Sequence, residues 1–166
     1  MTPPLRWHSP CDLYTVEITR RCYRAMVRMA HQHLPNEVGT SLVGTYSRDG
    51  RKATITGISP LPSDSRATRT TFQRGIDGLT QFFNNVFARF RGRRHYVGEW
   101  HSHPYSAPHP STTDDTNQAA IAQDTRVDCP EPILVIIGGD FDQHTDLQAF
   151  VYSRTHGKVV LDPRLA

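Results

Sequence analysis

The sequence predicts a single α/β domain in which helices flank a mixed β-sheet, and three observations carry that prediction. Short runs of β-type residues alternate along the chain with three segments of helical period. Ile133–Leu134–Val135–Ile136–Ile137–Gly138–Gly139 is a continuous apolar run, as expected of a strand buried on both faces. No repeat or low-complexity linker divides the 166 residues, so one domain over 1–166 is expected.

The elements follow in order. Leu13–Ile18 alternates apolar and polar residues and reads as a short strand. Thr19 is placed to cap a helix from Arg20 to about His33, with Cys22, Met26, Met29 and Ala30 on one face and a stop before Pro35. Glu37–Tyr46 reads as a strand, Asp49–Gly50 as a hairpin turn, and Arg51–Ser59 as the returning strand. Pro60 to about Thr70 is rich in Pro, Ser, Asp and Thr and reads as a loop. Ile76, Leu79, Phe83, Val86, Phe87 and Phe90 recur at helical spacing and predict a core-facing helix from Ile76 to Phe90. His95–His101 is a further strand, ended by a loop holding Pro104, Pro108 and Pro110, and Thr113–Gln123 reads as a helix. After the apolar strand, Gly138–Gly139 reads as a tight bend, and Leu147–Arg154 and Val159–Leu161 are the last strands.

Composition excludes several classes. With 37% hydrophobic and 21% charged residues and a net charge of +3, the chain is that of an ordinary globular protein. The bias is too small to argue for nucleic acid, and Arg89–Phe90–Arg91–Gly92–Arg93–Arg94 reads as a solvated helix end. Met1–Trp7 lacks the apolar core of a signal peptide, and no apolar run approaches the ~18 residues that span a bilayer. Cys11, Cys22 and Cys129 form no CxxC pair and no even framework, so reduced thiols and a cytoplasmic location are expected.

The chemistry lies in Glu99–Trp100–His101–Ser102–His103–Pro104 and the downstream Ser111–Thr112–Thr113–Asp114. Histidines at i and i+2 on an extended backbone point to one side, with Ser102 turned away, so both imidazoles reach one metal ion. A catalytic zinc takes three protein ligands and keeps one position open. Asp114 is the natural third ligand, although Asp115 beside it competes on local geometry. His31–Gln32–His33 repeats the spacing near a helix end without a downstream carboxylate and is taken as a decoy. Trp100 is expected in the core; Glu99 either orients a ligand or is an exposed strand carboxylate; His109 either touches substrate or faces solvent.

His101–Ser102–His103–Pro104, six residues, Ser111, two residues, Asp114 matches at every fixed position the HxHP-x(6)-SxxD signature of the JAMM (MPN-plus) zinc metalloproteases. Pro35–Gly44 resembles the glutamate-bearing strand of the same family, and Gly98–Pro104 (GEWHSHP) resembles its prokaryotic JAB-domain branch, including the small deconjugating proteases of CBASS anti-phage operons. The resemblance implies an MPN, cytidine-deaminase-like fold and one Zn2+ per chain on His101, His103 and Asp114. It implies Glu37 as general base and Ser111 as donor to the oxyanion.

The implied substrate is a peptide or isopeptide bond at the C-terminal tail of a ubiquitin-like protein or its conjugate, and the implied partners are activating- and conjugating-type enzymes of the same operon. On this reading Pro60–Arg74 flanks the substrate groove, with Arg66, Arg69 and Arg74 facing an acidic partner. Only about a dozen residues separate the helix after Asp114 from the buried strand, which argues against the insertion that confers linkage choice in eukaryotic deubiquitinases. Two alternatives stay open: a zinc amidohydrolase acting on a small molecule, which lacks the HxE…PCxxC deaminase pattern here, and a non-catalytic MPN scaffold.

Overall fold

A computed structural model describes residues 4–164; Met1–Pro3 and Leu165–Ala166, the ends of the expected domain, lie outside the described residues. Helix α1 (Arg20–His33) begins where the sequence places it, because the Thr19 side chain accepts from Cys22 N at 3.3 Å. Its face of Cys22, Met26 and Ala30 is fully buried, with Met29 at the margin of the core. Strands β1 (Leu5–His8), β2 (Thr15–Ile18), β3 (Gly39–Tyr46) and β4 (Lys52–Ile58) flank it in sequence.

The sheet departs from the open, layered arrangement expected of it. Together with β7 (His95–Pro104), β8 (Ile133–Asp140), β9 (His144–Ser153) and β10 (Gly157–Arg164), these strands close into a barrel of order β1-β10-β9-β8-β7-β3-β4-β2. It is mixed as expected: β2–β4 and β7–β8 run parallel and the other neighbours antiparallel. Closure depends on β1, which the four-residue run Leu5–His8 is too short to announce. Trp7 of β1 pairs with both Val16 and Pro163, joining the two ends of the sheet. Arg6 and Lys52 both pair with Glu17 across this seam.

β8 is buried on both faces as its sequence requires. Ile133, Val135 and Ile137 enter the main core with Trp100 and Ile18, while Leu134 and Ile136 join Phe150 and Tyr152 in a smaller cluster. Helix α3 (Thr112–Gln123) packs beside that second face through Gln118 and Ala122.

Two further expectations change. The Pro60–Thr70 segment is not wholly irregular: β5 (Arg66–Ala67) pairs with β6 (Phe72–Gln73) in a small hairpin standing apart from the barrel. Helix α2 (Leu79–Arg89) starts three residues after Ile76 and has no buried residue; Phe87 is 60% exposed and Ile76 74%. The closed barrel fills its own interior, so α2 only leans on β7, where Phe83 meets Tyr96 edge to face. Arg89 ends α2 and Arg94 stacks over Phe90 at 4.1 Å, a helix end as expected.

Candidate metal centre

β7 sets the site. Its alternation puts His101 and His103 on one face and turns the fully buried Ser102 to the other. Ser102 N donates to Val38 O at 2.8 Å, and Val38 N donates to Ser102 Oγ at 3.0 Å. These bonds fasten the start of β3 against the ligand strand and carry Glu37, just before that strand, to the site. Gly39 pairs with His101, and a Cβ there would lie 2.2 Å from Trp100 O and 2.7 Å from His101 Cβ. Only glycine permits that approach. Glu37 is 8% exposed, and its Oε1 is 3.9 Å from His103 Nε2.

The Ser-x-x-Asp spacing is a helix-capping device. Ser111 is the N-cap of α3; its Oγ accepts from Asp114 N at 3.2 Å, and its N–H donates to Asp114 Oδ2 at 2.7 Å. The Ser111 hydroxyl donates to the same Oδ2 at 2.7 Å. The cap thus aims the Asp114 carboxylate, and Oδ2 lies 3.6 Å from His101 Nε2. Asp115 points elsewhere: it accepts from Tyr152 Oη at 2.5 Å and pairs with Lys158 Nζ at 2.8 Å. Of the two aspartates, Asp114 is the one whose carboxylate stands beside the histidines.

His101 Nε2 and His103 Nε2 are 3.0 Å apart, and donor atoms of His101, His103 and Asp114 all lie within 4.8 Å of one another. This is the one such group among the described residues. His103 Nδ1 faces Ala107 O at 3.3 Å, which suits a proton on Nδ1 and leaves the Nε2 lone pair free. Two imidazoles and a carboxylate fit a divalent ion such as zinc, which takes nitrogen and oxygen ligands together. Burial and the neighbouring His101 lower the pKa of His103. Burial would raise that of Asp114, but His101 and Ser111 outweigh it and hold the carboxyl well below its ordinary range. Burial pushes the Glu37 carboxyl up to about 7, with Asp114 adding to the shift and His101 opposing it.

Two clefts meet at this cluster. One, of about 720 Å³, runs past Glu37, Arg69, Tyr105 and His109; the other, of about 710 Å³, runs between α3 and the β5–β6 hairpin past Arg66 and Gln118. Thr71, Phe72 and Thr113 line both. Arg66, Arg69 and His109 are exposed along them. Arg74 is different: its guanidinium is engaged by Glu99, Nε donating to Oε2 at 2.9 Å. Glu99 is neither exposed nor bonded to a ligand histidine, since its oxygens accept from Arg74, Tyr96 and Ser41. Trp100 is core, donating from Nε1 to Thr40 Oγ1 at 2.8 Å. His31 pairs with Asp142 and His33 with Met29 O, and among the described residues neither joins a group of three metal-ligating side chains.

Sequence reasoning missed Thr68, whose carbonyl accepts from Glu37 N at 2.8 Å and ties the hairpin to the site. It also misread Gly138–Gly139, which is the seat of the loop after β7. Tyr105 N donates to Gly139 O and Gly139 N to Ser106 O, both at 2.8 Å. A glycine pair after a buried strand was the available signal.

Fold and donor set together define an α/β-barrel protein with a candidate mononuclear metal centre beside a buried carboxyl group. The family model of prokaryotic homologs of the JAB domain matches residues 19–152, and the chain belongs to that family. It is similar to a CD-NTase/cGAS isopeptidase of Enterobacter hormaechei, 39% identical over 86% of this chain and 77% of the relative. It is also similar to proteins of the same name from Escherichia coli, at 32% identity over 69% of each chain, and from Vibrio cholerae, at 35% over 52% of this chain and 54% of the other. The solution structure of a protein from Desulfitobacterium hafniense shares the fold, with a TM-score of 0.57 at 24% identity over 89% of this chain and 88% of that one.

Proposed function

We propose that this chain is a zinc-dependent JAMM-type isopeptidase or peptidase that cuts the amide bond at the C-terminal tail of a ubiquitin-like protein or of a protein conjugated in the same way. The observation that carries the reading is the meeting of His101, His103 and Asp114 with the buried Glu37 at the junction of two clefts. The names of the curated relatives, CD-NTase/cGAS isopeptidase, support a protein conjugate as the substrate class; the reading adds activating- and conjugating-type enzymes as partners in anti-phage defence. The reading keeps the MPN, cytidine-deaminase-like fold, with the sheet drawn round into a barrel. We place the reaction in the cytoplasm, in keeping with three free thiols, and without nucleic acid or membrane as a partner. No helix among the described residues is long and apolar enough to cross a membrane.

His101, His103 and Asp114 would hold the zinc ion, which when bound would supply Lewis acidity to water and to the scissile carbonyl. Glu37 takes the proton of the attacking water at a carboxylate oxygen and returns it to the leaving nitrogen, so that a C–O bond forms as the C–N bond breaks. Without metal, burial raises this carboxyl to about 7; a bound cation would lower it and favour the carboxylate that takes the proton. Ser111 holds Asp114 at rest, and its exposed hydroxyl turns to the developing oxyanion when substrate is bound. Arg66, Arg69 and His109 line the clefts where an extended tail and its attached chain lie.

The test is elemental analysis of wild type, His103→Ala and Glu37→Ala, with cleavage of a tail-linked fusion assayed alongside. Wild type should carry about one zinc per chain, His103→Ala should lose it, and Glu37→Ala should keep zinc without cleaving. Wild type that cannot be loaded with zinc would sink the reading and leave a binding scaffold.

A further inference from the structure

The segment between β4 and α2 walls both clefts, and three attachments hold it. At its base, Asp64 accepts from Ile76 N and Asp77 N at 3.0 Å, while Gly75 N donates to Ser65 Oγ at 3.0 Å. At its tip, Thr68 O accepts from Glu37 N. On the leg leaving β6, the Arg74 guanidinium forks: Nε donates to Glu99 Oε2 at 2.9 Å and Nη1 to Gly75 O at 2.8 Å. Of these bonds, Arg74 Nε to Glu99 joins the hairpin's leg to the ligand strand β7, while Thr68 to Glu37 joins its tip to the residue ahead of β3.

Glu99 is made ready for that fork. Its side chain is 12% exposed, and Tyr96 Oη donates to Oε1 at 2.8 Å while Ser41 Oγ donates to it at 3.3 Å. Tyr96 reaches it because β7 bulges: Leu42 pairs with Gly98 but Val43 with Tyr96, which turns Tyr96 to the side of Glu99. A half-buried carboxylate receiving three donors, one of them a guanidinium, is a fixed anchor, unlike the exposed ion pairs that contribute little. The hairpin has only two residues in each strand and needs an outside anchor to stay ordered.

We propose that the Arg74–Glu99 ion pair is a latch that holds the β5–β6 hairpin against the ligand strand and thereby sets the width of the substrate clefts. Both are positioning residues: they act through Phe72, Thr71 and Thr68, not on the scissile bond. The kinetic part rests on the hydrolase reading above; the structural part does not. Besides its bond to Thr68, Glu37 is anchored through the Val38–Ser102 bonds beside it, so loosening the hairpin affects binding of the tail more than the chemical step.

The test uses Arg74→Met, which keeps the stem and removes the guanidinium, Glu99→Gln, which keeps the shape and removes the charge, and the double variant. Amide exchange of residues 66–73 is followed in the metal-free protein, with KM and kcat measured on the zinc-loaded protein. Each single variant should speed exchange of the hairpin about tenfold and raise KM about tenfold, with kcat within about threefold of wild type. The double variant should be no worse than either single, since both break one interaction. Wild-type exchange rates in both singles, or additive effects in the double, would overturn the latch. Loosened exchange in a protein that cleaves nothing would sink the hydrolase reading and leave the latch standing. Should Arg74→Met fail to melt cooperatively, Arg74→Lys, which keeps the charge but loses the fork, reads the same exchange.

Discussion

Replacing Gly138 with alanine adds one methyl group where β8 carries the loop after the ligand strand. A Cβ at this position would lie 2.3 Å from Ser106 O, 2.8 Å from Pro108 N and 2.9 Å from Ala107 C, all of them backbone atoms. The first contact is about 1 Å short of an ordinary C···O approach. No side chain can swing aside to relieve it, so Ser106–Pro108 must lift. That movement carries off Ala107 O, whose 3.3 Å contact with His103 Nδ1 is already long and fails with a shift of that size. His103 then loses the partner that fixes its tautomer, and loss of such a partner typically costs 10- to 100-fold in metal affinity. The overpacking itself should cost about 1–3 kcal/mol of stability. The control is Gly57→Ala, also within a strand, where a Cβ would meet only Val43 Cβ at 4.0 Å. Zinc affinity by chelator competition and calorimetric melting of both variants check the reasoning. Should Gly138→Ala bind zinc as tightly as Gly57→Ala, the loop is not what orients His103 and the argument fails.

Other perturbations give outcomes of different sign. Burial would raise the pKa of Glu17, but Lys52 and Arg6 outweigh it and hold it low. Their stabilisation is therefore present above the unfolded carboxyl pKa and lost as pH falls through the lowered native value. Glu17→Gln should accordingly destabilise the barrel by about 1–3 kcal/mol at pH 7 and converge with wild type in acid, as read by urea melts across pH. Ser111→Ala removes the hydroxyl of the capping box and should cost about 1 kcal/mol of stability together with weaker metal binding; unchanged zinc affinity would show that Asp114 needs no cap. His31→Ala should leave zinc content unchanged, because His31 pairs with Asp142 at 2.9 Å on the surface. Loss of zinc on that substitution would show that the His31–His33 pair is the ligand set.

What was legible in the sequence, and what was not, follows from the range of the forces involved. The ligand cluster was readable because its geometry is local: strand alternation aligns His101 with His103, and a capping box four residues long aims Asp114. Helix α1 was readable to the residue because Thr19 caps it and its apolar face is periodic. The choice between Asp114 and Asp115 was not local; it is decided by Tyr152 and Lys158, 37 and 43 residues from Asp115 along the chain. Barrel closure was hidden for the same reason, since β1 is four residues and the partner that closes the barrel, β10, lies at the far end of the sequence.

α2 misled because helical period reports that a face is apolar and not what covers it. Its phenylalanines stay partly exposed around a barrel that is already filled. Arg74 and Glu99 were each visible as single charges, one read as a contact for substrate and the other as a ligand orienter or an exposed carboxylate. Only the fold pairs them, and pairing changes what each does: a free arginine attracts an acidic partner, whereas an arginine already satisfied by a half-buried carboxylate holds a wall in place. In this chain the candidate metal centre is written locally in β7 and the start of α3, and the walls of its clefts are written in contacts across the fold.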